Sequence, residues 1–194
     1  MYKKHNPIIA KHGKASSKGL RDVMIFVLST IQTPISRTVT VSADIHENGV
    51  KSKYLSTAQC NTVEWIDCYS GLLHRKLSDV DCPIEATCKI LQTPGLGVVK
   101  AAFVAQLLGY EIGCIDRHNA LAFDVPRNIL RVGTHLSDES IFRKVKDYAS
   151  VCNRRGGSEY MWNQWCEGVA GTRYNKRLAT GHQVSYEHVR GTVR

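Results

Sequence analysis

The residues best suited to chemistry lie between positions 92 and 119. Pro94-Gly95-Leu96-Gly97 is a tight turn that leads directly into the apolar stretch Val98-Val99-Lys100-Ala101-Ala102-Phe103-Val104-Ala105-Gln106-Leu107-Leu108-Gly109. A turn with two glycines lets a ligand approach the backbone closely, and the helix after it offers unpaired N–H groups at the positive end of its dipole. A phosphate can bind there without any Lys or Arg, and such a contact positions a protein on a strand without reading sequence. Asp116 follows in Ile115-Asp116-Arg117-His118-Asn119, nineteen positions after Gly97. Taken singly, an Asp after a helix end is most often a turn residue or a cap for the next helix. Gln106 and Asn119 are polar residues beside apolar segments; if buried they need partners, and a base edge would supply them.

The elements that must position these residues read as mainly α. Leu20, Val23, Met24, Val27, Leu28 and Ile31 recur at helical steps over 19–31, and Pro34 ends that run. Thr38-Val39-Thr40-Val41 alternates and is β-branched, which suggests a short strand, and His46 to Gly49 reads as a turn. Helices are expected over 62–77, from Pro83 to Leu91, over 98–109 and from Ser137 to about Cys152. A turn of helix fits 118–123. Gly156-Gly157 breaks the chain before a last amphipathic helix capped by Ser158. That helix carries Tyr160, Trp162 and Trp165, rings that either join the core or stack on a flipped base.

Charge divides the 194 residues into a neutral body and two basic ends. The formal net charge is +9, from 26 Lys+Arg against 17 Asp+Glu. Residues 1–21 hold six bases and no acid, residues 172–194 hold five bases against Glu187, and the stretch between is net −1. The expected organisation is a basic arm over 1–17, one helical domain over 18–171 with its hairpin at 92–98, and a basic tail over 172–194. Anionic partners fit this pattern, nucleic acid first among them. The apolar run from Val23 to Leu28 is too short to span a bilayer, so no membrane partner is expected. Seven cysteines form no C-x-x-C pair. That fits reduced thiols in a cytoplasmic protein, with neither a metal site nor a cofactor expected.

The helix, the Pro94-Gly95-Leu96-Gly97 turn, the apolar helix and the spaced Ile115-Asp116-Arg117-His118 together resemble the helix–hairpin–helix DNA glycosylase superfamily over residues 88–122. The resemblance implies a helix–hairpin–helix glycosylase-like helical fold, a phosphate-binding turn at Pro94, Gly95, Leu96 and Gly97, and Asp116 as the catalytic carboxylate. Lyase members of the superfamily carry a nucleophilic Lys second after the last glycine of the turn. Val99 stands there, with Lys100 one step on, which argues against Schiff-base chemistry. The iron–sulfur Cys quartet of other members is missing too.

A narrower resemblance points to the phage amino acid:DNA transferases, the α-glutamyl/putrescinyl thymine pyrophosphorylases. It is carried by Lys100-Ala101-Ala102-Phe103, Gln106-Leu107-Leu108-Gly109 and Asn119. It implies an enzyme that replaces the pyrophosphate on 5-hydroxymethyluracil in DNA with an amino acid or amine, acting in the host cytoplasm on a base flipped from the duplex. Asp116 would orient or deprotonate the amine, His118 and Lys100 would act on the departing pyrophosphate, Arg117 would bind phosphate, and Asn119 and Gln106 would hold the substrate. Other readings remain open: a monofunctional DNA glycosylase, and a non-enzymatic DNA-binding module in which Asp116 is structural. His118 can also be a core histidine, and Lys100 can simply reach from an apolar helix to solvent.

Overall fold

A computed structural model describes residues 10–31, 33, 35–132 and 136–164, with the side chains of 35, 36, 117, 118, 122 and 162–164 outside the description. The described residues are helical, with no strand among them. Residues 10–15 form a helical turn, α1. There follow α2 (Ser17–Ser29), α3 (Ile35–Asn48), α4 (Thr57–Leu77), α5 (Pro83–Leu91), α6 (Val98–Leu107), α7 (Arg117–Ala122), α8 (Asp138–Arg154) and α9 (Gly157–Gln164). Short 3-10 turns cover Gly49–Lys51 and Arg127–Leu130.

Two helices occupy the centre. Every residue from Asp22 to Ser29 on α2 is buried, and all of α6 is buried except Val99 and Lys100, which are half-buried. A helix apolar on all sides must be surrounded. Accordingly α2 packs against α3, α4 and α6, while α6 packs against α5 as well. Phe26 and Phe103 meet edge-on across the α2–α6 contact, ring centroids 6.3 Å apart. The expectation of a one-sided apolar stripe on the first helix therefore understates its burial.

Several ends follow local chemistry. Ser56 and Gln59 form a reciprocal capping box that starts α4 five residues before the expected Thr62. Pro83 takes the first position of α5, and the Ser137 hydroxyl accepts from the Ser140 N–H to open α8.

The β-branched run 38–41 is not a strand but lies inside α3. Local β preference loses here because no second strand among the described residues is available to pair with it. Thr38, Val41, Ser42 and Ile45, spaced at helical steps, are all buried instead. The turn expected at His46 begins only at Gly49, which has φ 55. Ser158 does not cap α9: it lies inside the first turn, is fully buried, and donates its hydroxyl to Glu111 Oε1 at 2.6 Å.

Residues 10–17, expected within the basic arm, pack on the body. Gly13 is buried, and the His12 imidazole donates to Asp22 at 2.9 Å. Gly19 permits this approach, because a Cβ there would collide with the His12 carbonyl. Residues 1–9, the tail 172–194 and the anchors Pro34 and Trp165 lie outside the described residues.

Candidate functional site

The hairpin is formed by α5, the turn 92–97 and α6. The Leu96 N–H donates to the Thr93 carbonyl and closes the turn at 3.2 Å. Leu96 and Val98 are buried and root the turn, leaving Pro94, Gly95 and Gly97 on the surface. The two glycines have different roles. Gly95 has φ +78, and a Cβ there would collide with the Thr62 hydroxyl of α4, so both backbone and neighbour require glycine. Gly97 has φ −77, and a Cβ there would meet nothing. It is the N-cap of α6 and supplies no side-chain cap, unlike Ser16, Ser56 and Ser137 at the starts of α2, α4 and α8. The Gly97 carbonyl accepts from the N–H groups of Lys100 and Ala101, while those of Val98 and Val99 come before the first intrahelical bond. Open space lies in front of Gly97 at the positive end of a buried helix.

Gly109, at φ 88, follows the end of α6. In segment 110–116, Tyr110, Ile112, Gly113 and Ile115 are buried while Glu111 is exposed. The Tyr110 hydroxyl donates to the Val80 carbonyl at 2.9 Å. Tyr148 of α8 holds the middle: its hydroxyl donates to the Gly113 carbonyl at 2.9 Å and accepts from the Ile115 N–H at 2.7 Å. Burial raises that phenol well above its ordinary value, so it stays a neutral donor.

Asp116 is the N-cap of α7. Its Oδ1 accepts from the Asn119 N–H at 2.8 Å, and its carbonyl accepts from the Ala120 N–H at 2.8 Å. The capping role expected of a lone Asp is thus real, and it fixes the carboxylate at half-buried depth.

Four of the residues singled out in the sequence converge on Cys114, which was not among them. Asn119 donates to the Cys114 carbonyl at 2.9 Å, and the Cys114 N–H donates to Gln106 Oε1 at 3.1 Å. The Asp116 backbone N–H and the Lys100 ammonium both favour the charged form of the Cys114 thiol. Burial is the largest influence and pushes the thiol to about 12, with the Asp116 charge acting in the same direction and Lys100 opposing. Cys114 is therefore a neutral thiol at neutral pH and no nucleophile. Nothing in its sequence context marked it. Only the fold, through bonds from α6 and α7 to the segment between them, brings these groups together.

Gln106 and Asn119, expected to hold a substrate, are both buried and bonded to the protein's own backbone. Gln106 is 1% exposed, and its amide also donates to the Ser158 carbonyl at 3.0 Å, tying α6 to α9. Asn119 is 3% exposed and braces the backbone of Cys114. The partners these buried amides required are protein backbone groups. Lys100 is half-buried. Its Nζ donates to Thr30 Oγ1 at 2.9 Å and lies 5.7 Å from the centre of the Phe103 ring. α7 places Arg117 and His118 in its first turn, but their side chains lie outside the described residues.

Among the described residues no group of three or more His, Cys, Asp or Glu could hold a metal ion, and no helix is long and apolar enough to cross a membrane. Compared with protein-family models, curated proteins and solved structures, the chain matches none.

Proposed function

We propose that the protein is a DNA base-modifying enzyme of the helix–hairpin–helix type. The observation that carries this reading is the open start of α6: Gly97 is exposed, its missing Cβ would meet nothing, and no side chain caps the helix. A phosphate oxygen fits that space and accepts from the leading amides of α6. Contact through backbone groups also accounts for a body that needs little net charge. Asp116 and Lys100 bring opposite charges to bear on Cys114, and Lys100 lies in the first turn of the helix that this anchor opens.

The finer reading is amino-acid or amine transfer to a pyrophosphorylated 5-hydroxymethyluracil. The amine nitrogen attacks the exocyclic methylene carbon, the carbon–oxygen bond to pyrophosphate breaks, and pyrophosphate leaves with that electron pair. The amine proton passes to Asp116 or, through it, to water. Lys100, held by Thr30, stabilises the negative charge developing on the leaving group. A second reading has its own support. Because Asp116 already caps α7, a non-enzymatic DNA-binding module accounts for that residue equally well.

One experiment tests the readings. DNA carrying pyrophosphorylated 5-hydroxymethyluracil is incubated with the protein and mixed amino acids, then digested to nucleosides for mass spectrometry. An added amino-acid mass supports transfer, free base and abasic sites identify a glycosylase, and unchanged nucleosides with intact DNA binding identify the module. Asp116→Asn is the deciding variant, because Asn caps a helix about as well as Asp while losing the charge. The fold and DNA binding are expected to persist and product to disappear. Full activity in that variant would remove Asp116 from the chemistry.

A further inference from the structure

We propose that the flank of α4 beside the hairpin is a stacking platform for unpaired nucleobases of the strand whose phosphate the hairpin holds. The proposal rests on the DNA-binding reading above. Thr62, Trp65, Tyr69, Leu72 and Lys76 follow one another on α4 at alternating steps of three and four residues, which places them along one flank. The hairpin touches this flank, since the space of a Gly95 Cβ is occupied by the Thr62 hydroxyl. One turn further along, the Trp65 and Tyr69 rings pack with centroids 5.3 Å apart and planes 35° from each other. Trp65 is half-buried against the core, whereas Tyr69 is 47% exposed and Leu72 43%. An anchored inner ring thus presents an open outer ring.

Charge selects the occupant. The stripe ends on exposed Lys76 and contains no acid. Asp67 lies on the opposite flank of α4, in an ion pair with Arg21 at 2.6 Å. Glu64 falls on the outward face. Aromatic rings followed by a cation, continuous with an amide anchor, suit the bases and phosphates of one strand. A second copy of the chain suits them less well. A stable dimer buries roughly 800 Å² on each partner, and two partly exposed rings with a leucine provide far less.

The test uses the full chain and two DNA junctions that differ only in their unpaired arm, one bearing thymines and the other abasic spacers. Stacking on a ring is worth roughly 1–3 kcal/mol per base, so Tyr69→Ala should weaken the thymine junction about ten-fold. It should leave affinity for the abasic junction and the salt dependence unchanged. Trp65→Ala should act similarly; because it also opens the core side, the exposed Tyr69 variant keeps the test decisive if Trp65→Ala fails to fold. Equal losses on both junctions, no loss on either, or a change in sedimentation in place of a change in affinity would each overturn the platform. The DNA-binding reading is scored separately: Gly97→Val should weaken both junctions. If it does while Tyr69→Ala weakens neither, only the platform fails. If the unaltered protein binds neither junction, both fail.

Discussion

The hairpin and the packing around Asp22 handle charge in opposite ways. At the start of α6 a surface is built from glycine and backbone N–H groups, with no side-chain cap. Between α1, α2, α3 and α4 a carboxylate is buried outright. Asp22 is 2% exposed and takes His12 and Lys18 at 2.9 Å each, with His46 Nδ1 at 3.8 Å. Arg21 donates to His46 Nδ1 at 2.9 Å while holding Asp67. A buried charge demands partners, so this knot fastens four helices, whereas the hairpin makes no such demand and stays available to a ligand. The buried charge at Asp22 thus marks structure, and an uncharged turn is the better candidate for phosphate binding.

The largest expected effect tests the knot. Asp22→Asn removes the charged acceptor shared by Lys18 and the His12 imidazole and should cost about 3 kcal/mol of stability, read as a lower denaturant midpoint. A loss below about 1 kcal/mol would mean that the helices are fastened by something else. Next in size is Gly95→Ala, which meets the Thr62 hydroxyl at a positive φ and should cost about 1–3 kcal/mol in the same assay. Gly97→Ala, two positions on, should cost under about 1 kcal/mol, because its Cβ enters open space. Equal losses at the two glycines would erase the distinction between a glycine fixed by its neighbour and one facing open space.

A smaller effect is pH-dependent. Burial, reinforced by the Arg21 and Lys18 charges and opposed by Asp22 and Asp67, holds His46 below its ordinary 6.5. The folded state therefore binds that proton less readily than the unfolded state. Its contribution is complete above pH 6.5 and is lost as pH falls from 6.5 toward the lowered folded value. His46→Gln should flatten that slope in denaturation curves measured across the window, and an unchanged slope would place its origin at another group. The smallest effect concerns the chain end. Removing residues 1–9 takes away Lys3 and Lys4 and should make the salt dependence of DNA binding shallower by about two in logarithmic slope, with turnover on saturating DNA retained.

Much of the fold was legible locally. Ser137, Pro83 and the Pro94–Gly97 turn signal helix boundaries through capping and φ preference, which depend on a few neighbouring residues. The run 38–41 misled because β-branching expresses only a weak preference, which burial against α2 overrides. Asp116 was legible as a carboxylate at a helix start. The duties of Gln106 and Asn119 were not, since a buried amide reads the same whether its partner is a ligand or the protein's own backbone.

By itself the sequence determined a helical chain, a glycine turn aimed at the start of an apolar helix, and a basic excess held at its two ends. These follow from periodicity, backbone freedom and counting, which require no long-range contact. Tertiary structure alone decided that Gly95 is fixed by Thr62 while Gly97 faces open space. It also decided that Lys100 turns inward to Thr30, and that Gln106, Asp116 and Asn119 gather around Cys114. Each of these depends on which distant residue fills a particular volume, and only the packing of the whole chain sets that.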